Sequence, residues 1–158
     1  MNKTFLKTPL GTATIEGDKN GISRVSITQD NTEVSLEVPK ELAPAVKQLQ
    51  EYFAGKRTIF DLTLNPEGTD FQKKIWKLLQ NIPYGKTSTY KELTNEFGNP
   101  LAIRAVAAAN GKNPLWILIP CHRVIGSDGS LTGYAGGLWR KKWLLEHERP
   151  EKQQVLFI

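Results

Sequence analysis

The chain is short of the side chains from which most reactive centres are built. Among its 158 residues there is one cysteine, Cys121, and there are two histidines, His122 and His147. A single thiol excludes an internal disulfide and any zinc site made of several cysteines. It also leaves no second thiol to which a bound group could be passed. No apolar run approaches the ~20 residues that a membrane helix requires, so no membrane association is expected. The start, Met1-Asn2-Lys3-Thr4, lacks the apolar core of a signal peptide. A cytoplasmic, reducing compartment is therefore expected, where a free thiol stays usable. Acidic residues are in the minority, 16 against 21 Lys plus Arg, for a net charge of +5. That excess favours a polyanionic partner without specifying one, since many small proteins are this basic for solubility alone.

What the chain does have is a thiol and an imidazole side by side at the end of an apolar run. The run is Leu115-Trp116-Ile117-Leu118-Ile119-Pro120, followed by Cys121-His122-Arg123-Val124. Residues nearly all Leu, Ile or Trp read as a buried segment, and Pro120 stops any helix or central strand. Cys121 is thus delivered to the end of a buried element where the chain turns. Thiol and imidazole suit the roles of nucleophile and proton acceptor near neutral pH. Against this stands the fact that most buried thiols are inert core residues, so four letters need support from elsewhere.

The length suits one domain, or two small ones sharing a core. The first third reads as strands over 12–16 and 22–27, joined by a turn containing Asn20-Gly21, with a third strand over 34–38. A helix follows, with Leu42, Val46, Leu49, Tyr52 and Phe53 on one face and Gly55 ending it. Nothing in this part groups reactive side chains, so it reads as scaffold. A short strand and connector over 60–68 carry the boundary between a domain 1–66 and a domain 67–158.

The second domain opens with an amphipathic helix after Thr69 or Asp70, marked by Phe71, Ile75, Trp76, Leu78 and Leu79. Thr89 with Glu92 offers a capping box for a helix that stops at Phe97-Gly98. Asn99 and Pro100 restart the chain as a second helix running to Asn110-Gly111. Two short helices with a tight turn make a helix-turn-helix candidate. Four of the five residues after Arg104 are alanine, so this helix can press close to a narrow groove with Arg104 as its one long side chain. It lacks the polar residues of major-groove readers, which makes minor-groove contact the expectation.

Residues 125–137 hold five glycines, a tightly turned loop with Tyr134 as its one large side chain. It is no P-loop, because the Gly-Lys-Ser/Thr ending is absent. A last helix over 138–148 is expected to turn Trp139, Trp143 and Leu144 inward and to leave its Lys and Arg cluster solvated. It places Glu148 at its end.

Taken together, Ile-Pro-Cys-His-Arg-Val, Tyr90-Lys91-Glu92-Leu93, Arg104-Ala105-Val106, Asn113-Pro114, Gly133-Tyr134-Ala135-Gly136-Gly137 and Leu144-Leu145-Glu146-His147-Glu148 resemble the O6-alkylguanine-DNA alkyltransferases. The resemblance covers the chain from about Thr69 to Glu148. The earlier part matches only in its layout. It implies an α+β fold: a small antiparallel sheet with a helix in a ribonuclease H-like layout, then a winged-helix-like domain carrying the helix-turn-helix and the active-site Cys. It also implies direct, irreversible, stoichiometric transfer of an alkyl group from O6-alkylguanine, and from O4-alkylthymine, to Cys121 after nucleotide flipping.

By the same resemblance, His122 acts as base through a water, Glu148 orients the imidazole and Asn113 holds the turn and the thiol network. Tyr90 donates to guanine N3 and crowds a phosphate, and Arg104 fills the gap left by the extruded nucleotide. Val124 and Cys121 carbonyls read the exocyclic amine, the Ala135 amide contacts oxygen six and Tyr134 walls the pocket. Lys91, Asn99 and Ser127 are implied phosphate contacts. No cofactor and no zinc are expected, the partner is double-stranded DNA carrying the lesion, and a monomer is the default. Asn110 and Ala135 depart from residues found in some relatives, and this bears on how bulky alkyl groups fit. The rival reading is a non-catalytic alkyltransferase-like protein that binds the lesion; Cys121 argues against it. A Cys-His hydrolase and a winged-helix regulator fit less well, the first because its dyad residues would have to be adjacent in sequence.

Overall fold

The computed structural model describes residues 1–29, 37–131, 134 and 136–149. The chain forms two compact units, Met1–Glu67 with Pro114–Leu118, and Gly68–Asn113 with the chain from Ile119 onward.

In the first unit, β1 (Asn2–Thr8), β2 (Gly11–Asp18) and β3 (Gly21–Thr28) make an antiparallel sheet in the order β1-β2-β3. Strand β1 adds to the two strands expected from the sequence. Of the third strand expected over 34–38, residues 34–36 lie outside the described residues, and Val38 is exposed coil. The free edge of β3 is covered by two short parallel bridges, Ile22 with Leu64 and Val25 with Leu115, which occupy backbone groups that an open edge would expose. Helix α1 (Ala43–Phe53) buries Ala45, Leu49 and Tyr52. Its buried Gln48 is satisfied on both sides, donating to the Asp61 carbonyl at 3.0 Å and accepting from the Asp61 amide at 2.9 Å.

Gly21 sits at φ +131°, and a Cβ there would lie 2.8 Å from the Thr63 oxygen. Gly21→Ala is therefore expected to cost about 1–3 kcal/mol in urea denaturation, from strain and overpacking together. An unchanged midpoint would contradict this.

The run 115–120 is buried throughout, as expected, but is not a regular element. Beyond the bridge at Leu115 it proceeds through turns, and Ile117 adopts φ +69°, a left-handed conformation unusual for a β-branched residue.

In the second unit, α2 (Asp70–Leu79), α3 (Tyr90–Phe97) and α4 (Ile103–Gly111) pack on one another. Thr69 caps α2 with a full capping box through Gln72. Thr89 caps α3 by accepting from the Glu92 amide at 3.0 Å, and Gly98 ends that helix at φ +97°. The expected second helix begins as a 3₁₀ turn, Pro100–Ala102, capped by Asn99, and becomes α-helical only at Ile103. Trp76 is fully packed, and its Nε1 donates to the Ala109 carbonyl at 2.8 Å, tying α2 to the end of α4. Helix α5 (Leu138–His147) closes the unit.

Candidate active site

Two short strands set the geometry. β4 (Ser88–Thr89) pairs in parallel with β5 (Val124–Ile125), Ser88 facing Val124 and Thr89 facing Ile125. The residue after β4 is Tyr90, and the residues just before β5 are the 3₁₀ turn Cys121–Arg123. Backbone pairing therefore anchors the start of the helix-turn-helix beside the thiol segment.

Cys121 is a free thiol, 8% exposed. Burial pushes its pKa up. Hydrogen bonds from Asn113 and Tyr134 and the charge of Lys141 work in the opposite direction. Asn113 is itself held by its Nδ2, which donates to the Ile119 carbonyl at 2.8 Å.

His122 is fully buried, with its Nε2 2.8 Å from Glu148 Oε2. Burial works against the ionised form of Glu148, but hydrogen bonds and charge from His122 and Arg123 outweigh it and hold the carboxyl at about 2. An ionised carboxylate only accepts, so Nε2 must carry the proton and Nδ1 must present its lone pair. That Nδ1 is buried and has no hydrogen-bond partner among the described residues. Burial also lowers the His122 pKa, against the pull of Glu148, so the ring is neutral at physiological pH and able to take a proton.

Sequence reasoning does not single out Arg123, yet it is central. Its Nε donates to Glu148 Oε1 at 2.8 Å, its Nη2 to Oε2 at 3.1 Å and its Nη1 to the Ile82 carbonyl at 2.7 Å. Its guanidinium also lies over the Tyr84 ring, 5.8 Å from the centroid. The hydrogen bond from His122 and the bidentate contact of this permanent cation together keep Glu148 ionised inside the protein. The available signal is its place beside His122, because a buried arginine requires an anion.

Lys141 escapes the sequence for a different reason. The basic cluster of α5 is expected in solvent and Trp139 inside. In the structure Arg140 and Lys141 are buried, and Trp139 is 48% exposed with the Arg140 guanidinium 4.6 Å from its ring. The inward face of α5 is Arg140, Lys141 and Leu144, because both cations find carbonyls there. Arg140 Nη1 donates to Gly136 at 2.7 Å, and Lys141 Nζ donates to Val124 at 2.6 Å. Replacing Lys141 by Met keeps the stem but removes the charge beside the thiol. The Cys121 pKa should then rise further, and any reaction of the thiol at neutral pH should slow roughly tenfold for each unit of rise. Measuring thiol alkylation against pH checks this; an unshifted profile would remove Lys141 from the site.

The remaining candidates fall into two groups. Val124 is buried, and its carbonyl accepts from Lys141. Tyr90 is half-buried at the start of α3; Lys91, Asn99, Arg104 and Ser127 are exposed, and Asn99 Oδ1 is engaged in capping, 3.1 Å from the Leu101 amide. Ala135 lies outside the described residues. Asn110 is buried.

A buried thiol followed in sequence by a neutral imidazole, itself fixed by a carboxylate and an arginine, is the inventory of a nucleophilic-cysteine protein, and the helix pair joined to that segment through β4 and β5 has the layout of a nucleic-acid-binding scaffold. Comparison with known proteins narrows the class. Residues 70–150 match the DNA binding domain of 6-O-methylguanine DNA methyltransferase, and residues 1–66 match its ribonuclease-like domain. A methylated-DNA–protein-cysteine methyltransferase of Methanosarcina barkeri is 47% identical over 94% of this chain and 97% of its own. The constitutive methylated-DNA–protein-cysteine methyltransferase of Bacillus subtilis is 45% identical over 92% and 94%. A crystal structure of Mycobacterium tuberculosis OGT in complex with DNA superposes with a TM-score of 0.84 at 43% identity, covering 94% of this chain and 93% of that one. The chain belongs to the 6-O-methylguanine DNA methyltransferase family.

Proposed function

We propose that the protein repairs DNA by moving the alkyl group of O6-alkylguanine, and of O4-alkylthymine, onto its own Cys121. The observation that carries this reading is the buried His122 Nδ1, left with its lone pair because Nε2 is spent on Glu148. His122, acting through a water, removes the thiol proton. Sulfur attacks the alkyl carbon, the S–C bond forms and the C–O6 bond breaks. The electron pair stays with the purine, which takes up one proton from water to become guanine, while the imidazolium of His122 returns the thiol proton to water. The thioether product is not cleaved by water under cellular conditions, and no second cysteine exists to receive the group. Each molecule therefore acts once.

A lesion inside a duplex is out of reach of a buried thiol, so the nucleotide is flipped at a cost of a few kcal/mol. Arg104 offsets this by entering the vacated stack, from a helix whose alanines admit it to the minor groove. Tyr90, at the head of α3, contacts the flipped base and its phosphate. Lys91, Asn99 and Ser127 contact the backbone, while Val124, Tyr134 and Ala135 line the base pocket. The protein acts as a monomer, needs no cofactor and works in the cytoplasm; among the described residues no helix is long and apolar enough to cross a membrane.

The test is the intact mass of the protein after incubation with a duplex oligonucleotide bearing one O6-methylguanine. One methyl on Cys121, with lesion loss stopping at one equivalent, is the expected result. Lesion binding with unchanged mass would instead indicate a lesion-binding protein, and repair of several lesions per molecule would end the single-use mechanism.

A further inference from the structure

The 3₁₀ turn and the face of α4 that carry Arg104 also expose two large aliphatic side chains. Leu101 is 93% exposed and Ile103 41% exposed. Leu101 precedes Arg104 by three residues, one turn along the helical path. Ile103 precedes it by one, which at about 3.6 residues per turn puts it on the opposite flank. Toward the other end the same face shrinks: Ala105, Ala108 and Gly111 are exposed, and a Cβ added at Gly111 would meet nothing within 4 Å. The surface is therefore a ridge, tall at Leu101, Ile103 and Arg104 and bare beyond them. Between Phe97 and Ser127 the chain contains no Asp or Glu, while Arg104 and Lys112 are exposed within it. A polyanion meets no repulsive side chain from this stretch.

Single exposed aliphatics are ordinary on a protein surface. Two that bracket an exposed arginine on an acid-free stretch call for a ligand that is both anionic and apolar-walled. A duplex minor groove is such a ligand, with phosphates at its rims and sugar carbons along its two walls. Apolar side chains beside a cation are a recurrent device of proteins that open that groove.

We propose that Leu101 and Ile103 form an apolar clamp that grips the two sugar walls of the minor groove on either side of Arg104, and that this clamp makes the protein prefer duplex over single-stranded DNA. The inference rests on the groove reading above and adds two residues to it. A single strand offers one wall, so it engages at most half of the clamp. Neither residue carries charge, so the clamp contributes affinity without releasing counterions, and the salt dependence of binding belongs to Arg104 and the lysines.

The experiment compares wild type with Leu101→Gln, Ile103→Gln and the double variant. Affinity for an undamaged duplex and for its single strand is read by fluorescence anisotropy, and methyl transfer is read from O6-methylguanine in each context. Leu101 is so exposed that its replacement should leave the thermal midpoint unchanged, which keeps the test independent of folding. For Leu101→Gln, duplex affinity should fall by roughly tenfold, the size expected when a leucine-sized aliphatic surface is no longer withdrawn from water. Single-strand affinity should fall clearly less than duplex affinity, and the slope of log affinity against log salt should stay as in wild type.

Equal losses on duplex and single strand, or no loss on either, would overturn the clamp. So would a change in sedimentation of the free protein with duplex affinity intact, which would make this face a contact between protein molecules. If wild type binds duplex with the expected Leu101 dependence but takes up no methyl, the repair reading fails and the clamp stands.

Discussion

Replacing Glu148 with glutamine is expected to destabilise the protein by about 3–5 kcal/mol, the range observed when one partner of a buried ion pair is removed. Glutamine has nearly the same shape but only one accepting oxygen. Glu148 now serves three donors, Arg123 Nε, Arg123 Nη2 and His122 Nε2. The amide must turn its NH2 group toward at least one of them, and the Arg123 cation, 6% exposed, is left inside without an anion. A denaturation midpoint unchanged from wild type would mean that the guanidinium has another counter-charge.

The same variant should slow methyl transfer by roughly a hundredfold or more, the scale of general-base catalysis. An amide NH2 facing Nε2 favours the tautomer protonated at Nδ1, the nitrogen assigned to take the thiol proton. A correctly placed imidazole in the wrong tautomer is a poor base, as the Asp-to-Asn change in the serine protease triad shows. Single-turnover kinetics on a lesion duplex, at a temperature where both proteins are folded, separates this effect from instability. A rate within a few-fold of wild type would remove Glu148 and the relay from the mechanism.

The pH dependence of stability follows from the same cluster. The folded Glu148 carboxyl ionises at about 2, against an ordinary value of 4.5. Its contribution, about 3 kcal/mol, is complete above pH 4.5 and is lost as pH falls toward 2. His122 is held neutral by burial below its ordinary 6.5. Acidification below 6.5 protonates the unfolded chain first and so also favours unfolding. The two losses act in sequence, the histidine first. In Glu148→Gln the lower one should vanish, leaving stability flatter between pH 4.5 and 2 than in wild type.

The parts of this cluster that can be read from the chain are those with a local signal. Thr69 and Thr89 mark the starts of α2 and α3 because a cap acts on amides two or three residues away. Cys121 and His122 are neighbours in sequence, and the family resemblance supplies Glu148, Asn113 and Tyr134. Strand β1 escapes because its inward positions include Thr4 beside Leu6, a polar residue where alternation asks for an apolar one. Arg123 and Lys141 escape because a cation goes inside only if acceptors from distant residues wait for it. Those acceptors are Glu148, 25 residues on, and the Val124 carbonyl, 17 residues back. Trp139 is the counterpart: its hydrophobicity points inward, but the inward face of α5 is already taken by Arg140 and Lys141.

Cys121→Ser is expected to abolish transfer completely while leaving the fold and DNA affinity as they are, within about twofold. The hydroxyl is smaller than the thiol but can keep the hydrogen bonds that Asn113 and Tyr134 make to the sulfur. Arg123, Glu148 and His122 are untouched, so the relay remains poised with nothing to activate. What the variant loses is acidity and softness. A thiol with an ordinary pKa of ~8.5 yields some thiolate at neutral pH, and Lys141 with His122 can raise that fraction against the burial that lowers it. An alkanol is too weak an acid for the same groups to ionise, and its oxygen is a poor nucleophile toward an alkyl carbon. Incubation with an O6-methylguanine duplex should therefore leave the variant's mass unchanged and the lesion intact, while anisotropy reports binding like that of wild type. Methyl on the variant, at the introduced hydroxyl or anywhere else in the chain, would show that Cys121 is not the sole acceptor. Loss of binding would show that the sulfur helps to build the pocket as well as to react in it. Unchanged binding with no transfer would separate recognition of the lesion from the chemistry of the Cys121 side chain.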